Sequence, residues 1–448
     1  MTWSYLPHTD TDRREMLAAI GAGNVDDLFR DVPEQLRLNR RLNLPERLDE
    51  AALARHMRQL AGKNAAFHEY SYFLGAGVYD HYVPAVVDAV ISRSEFYTAY
   101  TQYQPEVAQG YLQALWEYQS MIASLAGMAA ANASLYDGGT ALAEAAMMAC
   151  SVGKRGELVV SKALHPHYRA LLSTYAIDLS IAVKETGYLD GASSAEELTG
   201  AVTGATAAVI VQTPNFFGVP EDLKTIAELA HKQGALLIVA ADPVALALLE
   251  PPGALGADIV VGEGQPLGIC ASFGGPGLGF FATTEKLMRK MPGRIVGQTL
   301  DSKKRRGFVL TLQAREQHIR REKATSNICS NQALCALSAA VYLSAVGRAG
   351  LRDVAELSLQ KAHYALERIT GANGGERVFN APFFKEFAVR LRKDVSYVNR
   401  QLLKDKIIGG LDLGRYYPEL EKCMLICVTE NRAKAEIDLL AERLGGLG

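Results

Sequence analysis

A stretch from Ala235 to Gly279 constrains the fold more than any other part of this 448-residue chain. It predicts a buried strand that runs from Ala235 to Asp242, a turn, and a second short apolar strand from Ala257 to Val261. Two glycine-bearing loops follow, GEGQPLG and FGGPG. The first strand therefore ends in an acid close to flexible loops. No lysine lies between Val261 and Gly279.

Neighbouring segments alternate between strand and helix patterns. Continuous apolar runs such as AAVIV, ALLIVAA and DIVV predict a parallel sheet that is buried on both faces. Functional groups in such sheets collect beyond the carboxyl ends of the strands. We expect His165, His167, Asn215 and Asp242 at that edge. Either histidine could stack on a heteroaromatic ring, although a loop histidine is more often only solvated.

The composition narrows the class of protein. Hydrophobic residues make up 49% and charged residues 21%, as in ordinary globular chains. The formal charge of −2 offers no general attraction to nucleic acid or to an anionic membrane. The amino terminus lacks the basic and apolar segments of a secretory signal. Six cysteines without a CxxC pair predict reduced thiols in the core of a cytoplasmic protein and no metal site.

Pattern changes divide the chain into three predicted parts. Residues 1–66 carry helix signals, with Asp10 or Thr11, Asn24 and Asp49 as caps, and form a helical arm. Residues 67–329 form a large domain around the parallel sheet, and a helix is expected to start there at Pro105. Residues 330–448 form a small α+β domain.

Asp137, Gly138, Gly139 and Thr140 precede a helix made of small residues. The backbone amides at such a helix start can face an anion, and the glycines allow it to come close. A plain loop is the alternative for this weak signal. The chain has neither GxGxxG nor GKS/T, so a Rossmann or P-loop nucleotide site has little support.

Two features of the sequence each allow two interpretations. Aromatic residues crowd the stretch 67–118, and they suit either subunit contacts and pocket rims or a tyrosine-rich core. Two basic clusters, Lys303 to Arg306 and then Arg320, Arg321 and Lys323, are either solvated faces or a docking surface for an acidic partner.

Longer segments carry a resemblance to a known family. They are YLPHTDTDRREML, SYFLGAGVYDHYVPAVV, YTAYTQYQPEVAQGYLQALWEYQSMIA, ANASLYDGGTALAEA, FGGPGLGFFA and LQAREQHIRREKATSNIC. With these segments the chain closely resembles the alpha subunit, subunit 1, of the glycine dehydrogenase (decarboxylating), or P-protein, of the glycine cleavage system. The resemblance covers nearly the whole chain.

The resemblance implies a pyridoxal-phosphate enzyme of the aspartate-aminotransferase type, fold type I. The expected architecture is a large domain with a mostly parallel central sheet, a small carboxyl-terminal α+β domain and a helical arm. It further implies an α2β2 assembly with a homologous beta subunit, which decarboxylates glycine and passes the aminomethyl group to the lipoyl arm of the H-protein.

In this family the acid at Asp242 would pair with the pyridine nitrogen of the cofactor, and a lysine after the second strand would carry the Schiff base. That lysine falls on Gln265 here, which cannot form an imine. The resemblance therefore implies that the beta subunit binds the cofactor covalently and that this chain has a degenerate site. Its members would be Gly138, Gly139, Thr140, His165, His167, Asp242 and Gln265, with Asp242 satisfied by local hydrogen bonds.

The same resemblance suggests what the chain gives to its partner. Thr325, Ser326 and Asn327 would reach the phosphate of the partner's cofactor, while Tyr100 and Tyr103 would line its glycine pocket. All five could instead only stabilise the subunit contact. A scaffolding subunit that recruits the H-protein without joining the chemistry is the main alternative. An independent enzyme using Lys286 or Lys323 is a third possibility, but neither lysine follows the second strand at the required reach.

Overall fold

The computed structural model describes residues 7–38, 40–100, 102–272, 274–324 and 326–447. The chain divides into two compact units, residues 1–65 and residues 66–448. Its helices are α1 Asp10–Ala19, α2 Glu50–Ala61, α3 Ala85–Ile91, α4 Ser94–Tyr97, α5 Gln109–Ala126, α6 Gly138–Gly153, α7 Pro166–Ala176, α8 Ala195–Ala201, α9 Leu223–Lys232, α10 Gln317–Arg320, α11 Ala333–Gly371, α12 Val395–Leu402 and α13 Lys434–Leu447.

The described strands all lie in the second unit, where eleven belong to two main sheets and six form two-stranded sheets. They are β1 Ser71–Tyr72, β2 Ala130–Ala131, β3 Glu157–Ser161, β4 Ala182–Thr186, β5 Tyr188–Leu189, β6 Ala192–Ser193, β7 Thr206–Thr213, β8 Leu236–Ala241, β9 Ile259–Glu263, β10 Gly279–Thr283, β11 Ile295–Leu300, β12 Arg306–Thr311, β13 Glu376–Arg377, β14 Glu386–Arg390, β15 Ile407–Ile408, β16 Leu411–Asp412 and β17 Cys423–Cys427.

The described residues form a central seven-stranded sheet in the order β2-β10-β9-β8-β7-β3-β4. Strands β9, β8, β7, β3 and β4 run parallel, and β10 is antiparallel to both of its neighbours. Apolar clusters pack on both faces of this sheet. The predicted parallel sheet with strands buried on both faces is therefore confirmed, and its carboxyl edge is where functional groups should meet.

A smaller antiparallel sheet, β13-β14-β17-β16, packs against α12 and α13 near the carboxyl terminus. Helix α11 links this layer to the rest of the unit, with a break at Gly347, where φ is +61°. Before the break, Ala336 and Tyr342 join the core beside the large sheet. After it, Ala362 and Ile369 join the core of the small layer.

Among the described helices, α11 alone has the length and apolar composition that a membrane crossing requires. Both of its halves contribute buried side chains to cores of this chain.

The first unit, residues 1–65, carries α1 and α2. Thr9 caps α1 through a reciprocal pair of hydrogen bonds with Asp12, so the caps predicted at Asp10 and Thr11 lie one and two residues too late. Asn24 and Asp49 cap their helices as predicted. None of the unit's described residues is buried.

Two other expectations are wrong in detail. Helix α5 starts at Gln109 and not at Pro105, because the Gln109 side-chain amide occupies the Pro105 carbonyl at 2.7 Å. The cysteines do not all lie in the core, since Cys270 and Cys329 are exposed.

Candidate functional site

The carboxyl edge of the sheet brings several predicted site residues together. Asp242 follows β8, Gln265 follows β9, and the amino-terminal ends of α6 and α7 face the same region. A cavity of only about 30 Å³ remains between them, with Asp242, His165, Tyr79, Tyr168 and Glu263 in its lining. The geometry of the edge is therefore that of a nearly filled site.

Asp242 forms a buried ion pair that the sequence did not suggest. Its Oδ2 lies 2.6 Å from the Nζ of Lys385, which directly precedes β14 in the small layer. Lys385 is only 2% exposed. Burial by itself raises the pKa of the Asp242 carboxyl, but the charge and hydrogen bond of Lys385 outweigh it and lower that pKa. The expectation that local hydrogen bonds satisfy Asp242 holds only for the bond from the Val244 amide.

The ammonium of Lys385 has three partners. Besides Asp242, its Nζ lies 3.0 Å from Nε2 of His81 and 3.5 Å from the centre of the Tyr79 ring. His81 Nδ1 lies 2.6 Å from a carboxylate oxygen of Glu430. These partners assign the N–H to Nδ1 and leave Nε2 to accept from Lys385. A chain of polar contacts thus runs from Asp242 through Lys385 and His81 to Glu430.

Glu386, the neighbour of Lys385, points to the loop after β1. It accepts a hydrogen bond from the Ala76 amide at 2.6 Å and one from the Tyr79 hydroxyl at 2.8 Å. Burial raises the pKa of this carboxyl. Lys385 fastens the start of β14 to the large sheet's carboxyl edge, and Glu386 fastens it to the loop after β1.

The start of α6 is the predicted anion position, and a carboxylate of the chain itself lies there. Asp137 caps the helix through the Thr140 amide, while the Gly138 amide donates to Oε2 of Glu263 at 3.0 Å. Oε1 of Glu263 accepts from the amides of Gln265 and Leu278. Burial raises the pKa of this carboxyl, against the pull of its three backbone donors.

Gln265 is buried and fully engaged at the position after β9. Its side-chain oxygen accepts from the Tyr79 amide at 3.0 Å, and its nitrogen donates to the carbonyls of Tyr79 at 3.0 Å and Ile269 at 2.7 Å. The amide therefore clamps the loop that carries Tyr79 onto the loop after β9.

The two predicted histidines lie at the start of α7 and differ in environment. His165 is buried; its Nε2 donates to the Ala76 carbonyl at 2.8 Å and its Nδ1 accepts from the His167 amide. Burial lowers the pKa of His165 to about 4. His167 instead contacts the Tyr416 hydroxyl. The side-chain amide of Asn215 donates to Glu221 and to the Gly191 carbonyl in the β5–β6 turn, so it links its own loop to that hairpin.

The residues predicted to face a partner lie outside this filled site. Tyr100 is 86% exposed and Tyr103 is 53% exposed. The buried guanidinium of Arg294 donates to the Tyr103 hydroxyl at 3.1 Å and lies 5.2 Å from its ring centre. Arg294 thus holds Tyr103 in place, whereas Tyr100 presents its ring to the outside.

The predicted phosphate-bracing segment is described in part. Thr325 lies outside the described residues. Ser326 accepts a hydrogen bond from the Ile328 amide at 3.1 Å and bonds to Glu144. Asn327 is exposed, and Ile328 is anchored in the core. The segment is therefore held by the residues on either side of Asn327.

A second cavity of about 250 Å³ adjoins this segment. Ser326 and Ile328 contribute to its wall. Its charged lining residues are Arg289, Lys290, Arg315, Arg320, Lys323 and Glu316. Five cations against one carboxylate make this cavity suited to an anion.

Comparison with solved structures defines the class. Mouse CSAD superposes on the chain with a TM-score of 0.68 at 17% identity, covering 91% of this chain and 90% of the other, which shows the fold alone. The chain has the fold of the pyridoxal-phosphate-dependent enzymes of fold type I, and the predicted fold class is confirmed.

The family follows from the sequence relatives. The family model of the glycine cleavage system P-protein matches residues 3–444, and the chain belongs to that family. A probable glycine dehydrogenase (decarboxylating) subunit 1 from Desulforamulus reducens is 57% identical over 99% of each chain. A crystal structure of glycine decarboxylase (P-protein) in inhibitor-bound form superposes with a TM-score of 0.91 at 45% identity, covering 100% of both chains.

Pyridoxal phosphate does not fit this chain's own site. Ligand pockets in proteins usually measure about 300 to 1,000 Å³, and about 30 Å³ remains here. The acid that would meet the pyridine nitrogen is paired with Lys385, and the helix start that would meet the phosphate is occupied by Glu263. No step of chemistry can therefore be assigned to this edge of the sheet.

Sequence reasoning found Asp242, Gly138 and Gln265 but missed Lys385 and Glu263. Lys385 lies 143 residues beyond Asp242, so only the fold brings the two together. For Glu263 a local signal was available, because an acid two residues before Gln265 lies within reach of the same loop.

Proposed function

We propose that the chain is the alpha subunit of a heteromeric glycine decarboxylase. With a homologous beta subunit in an α2β2 assembly, it would support the pyridoxal-phosphate-dependent decarboxylation of glycine and transfer of the aminomethyl group to the lipoyl arm of the H-protein. The beta subunit would hold the cofactor covalently, in the cytoplasm. The observation that carries the proposal is a closed cofactor edge in a chain that matches the P-protein family along nearly its whole length.

The arm supports the need for a partner. Residues 1–65 contain large apolar side chains that their own unit leaves exposed, among them Ile20, Leu36, Leu42 and Leu44. An apolar surface of this kind in a folded protein usually marks an interaction site. A homologous subunit that covers the arm would bury these side chains and gain their transfer free energy.

The loop that carries Tyr100 and Tyr103 supports a role at the partner's glycine pocket. Glycine is small, so its pocket needs rigid walls rather than many contacts. Tyr103 is fixed by Arg294, and Tyr100 lies three residues away with its ring exposed. We assign both tyrosines to the rim of that pocket, where aromatic rings exclude water at little cost in conformational entropy.

The segment 325–327 is assigned to the phosphate of the partner's cofactor. Ile328 and Ser326 anchor it, Asn327 is free to face outward, and the cation-lined cavity lies beside it. Hydroxyl and amide donors backed by several positive charges are the groups that bind a phosphate dianion. The Ser326 hydroxyl accepts from the Ile328 amide and bonds to Glu144, which positions the segment.

Replacing Thr325 with valine tests the phosphate role. A hydrogen bond to a charged group contributes about 1.5 to 3 kcal/mol, so the reconstituted enzyme should bind pyridoxal phosphate about 10 to 100 times more weakly. The measurement is the dissociation constant of the cofactor, from absorbance titration of the α–β complex. Thr174→Val, at an exposed position on α7, is the matched control and should leave the constant unchanged. Equal affinities for T325V and the unaltered complex would remove Thr325 from the phosphate site.

Reconstitution tests the proposed function as a whole. Exchange of labelled CO2 with the carboxyl group of glycine is measured for this chain, for the beta subunit and for their mixture. We expect exchange only in the mixture, with the borohydride-trapped cofactor on a lysine of the beta subunit. Trapping on this chain would contradict the proposal.

The scaffolding alternative has one supporting feature. The four cations Lys303 to Arg306 are exposed at the turn of the β11–β12 hairpin, where they could meet an acidic carrier protein. If this is the chain's sole contribution, the beta subunit alone would exchange CO2 at the full rate, and the chain would accelerate only the transfer to the H-protein. If the beta subunit exchanges CO2 only in the presence of this chain, the scaffolding alternative is rejected.

A further inference from the structure

We propose that side chains of this chain replace the cofactor within its own site, group by group. The ammonium of Lys385 takes the place of the pyridinium at Asp242, and the carboxylate of Glu263 takes the place of the phosphate at the start of α6. The amide of Gln265 closes the position of the Schiff base. The site is then a structural joint between the large sheet and the small layer, in which the chain's own side chains take the place of the ligand.

The pyridinium position is the better defined of the two ends. A pyridinium offers one N–H and a positive charge to the acid at the end of β8, and Lys385 offers the same at 2.6 Å. Its other contacts, to His81 Nε2 and to the face of the Tyr79 ring, satisfy the rest of the ammonium. A buried acid on its own would cost several kcal/mol, so the pair explains how Asp242 stays charged without a cofactor.

At the phosphate end, the Gly138 amide donates to Glu263, as a helix start donates to a phosphate oxygen. Tyr168 completes the closure, because its hydroxyl lies 2.4 Å from where a Cβ on Gly138 would be. Glu263 also binds the amides of Gln265 and Leu278, so the loop after β9 is fixed by the same carboxylate.

The replacement has a structural consequence that a bare loss of the lysine would not have. Lys385 comes from the small layer and its partner Asp242 from the end of β8 in the large sheet, while Tyr79, which donates to Glu386, is held by Gln265 after β9. The small layer is therefore joined to the large sheet in a closed arrangement by the chain alone. Restoring a lysine at position 265 should not restore cofactor binding while these groups remain.

The test uses the full chain and pyridoxal phosphate, without the beta subunit. The chains compared are the unaltered protein, Q265K, and the triple variant Q265K/K385A/E263A. Each is incubated with the cofactor and reduced with borohydride, and the label at position 265 is quantified by peptide mass spectrometry. A second triple variant, Q265K/R352A/E356A, removes an exposed ion pair on α11 and serves as the matched control.

We expect labelling at position 265 to be at least about tenfold higher in Q265K/K385A/E263A than in Q265K, a difference of about 1.4 kcal/mol in binding. The control variant should match Q265K. Equal labelling of Q265K and Q265K/K385A/E263A overturns the proposal, and so does a folded Q265K/K385A/E263A that takes up no label. These outcomes do not depend on the beta subunit, so they are separate from the test of the proposed function.

A second measurement covers the case in which the triple variant does not fold. K385A leaves room for a small cation at Asp242, so ethylammonium chloride should raise its melting temperature more than the same concentration of sodium chloride does. The unaltered chain should respond equally to both salts. No difference in K385A would contradict the assignment of a cation site at Asp242.

Discussion

Replacing Lys385 with methionine is expected to lower the free energy of unfolding by about 3 to 5 kcal/mol, because it leaves the Asp242 carboxylate buried without its cation. The measurement is denaturant unfolding of the chain at neutral pH. Lys385 lowers the pKa of Asp242 below its ordinary value of 3.8. A carboxyl whose pKa is lowered in the folded state stabilises the fold fully at pH values above its ordinary pKa. This stabilisation is lost as the pH falls through the ordinary pKa toward the lowered one.

A double-mutant cycle with D242L, K385M and D242L/K385M separates the free energy of the ion pair from that of lost packing. D242L/K385M replaces both charges with apolar groups, so it should lose less stability than K385M alone. The exposed pair Arg352–Glu356 has a similar separation of 2.7 Å and is the control, since R352M should cost less than about 1 kcal/mol. If K385M costs no more than R352M, the buried pair does not hold the domains together.

Removing residues 1–65 is expected to weaken binding to the beta subunit by at least about 100-fold, or about 2.7 kcal/mol. The arm presents apolar side chains that its own unit does not cover, and a few such anchors usually carry most of an interface's free energy. Residues 66–448 form a compact unit by themselves, so the truncated chain should keep its fold. Isothermal titration with the beta subunit measures the effect.

A milder version tests the arm without deleting it. Leu36 and Leu44 are 75% and 70% exposed, and L36S/L44S should reproduce part of the loss. Leu189 is 78% exposed on the other unit, so L189S is matched in exposure and chemistry and should have little effect. An equal effect of L189S would mean that general surface hydrophobicity, and not the arm, determines the affinity.

The sequence predicted the large sheet because its strands are continuous apolar runs, and runs of this kind have few other places in a fold. It also predicted the positions of Asp242 and of the start of α6, because both directly border a regular element. The exact starts of α1 and α5 were missed, because side chains of Thr9 and Gln109 compete with the backbone there.

The interior of the site was not predictable in the same way. The Asp242–Lys385 pair joins residues 143 positions apart, and nothing near Lys385 in the sequence distinguishes it from a surface lysine. Its contact with His81 joins residues 304 positions apart. Such contacts follow from how the small layer packs on the large sheet, which is a property of the whole fold rather than of any pattern of residues.

The break in α11 at Gly347 leaves one helix shared between two hydrophobic cores. The Asp242–Lys385 ion pair and an apolar cluster of Val244, Ala245, Ala355 and Phe384 lie beside this helix, so a rigid-body opening of the small layer would have to disrupt both kinds of contact. The closed conformation is then already populated before a partner subunit binds. Association would need no additional free energy to shift the chain into that conformation. The chain's contribution to an assembly would therefore be set by its own folding and not by the supply of cofactor.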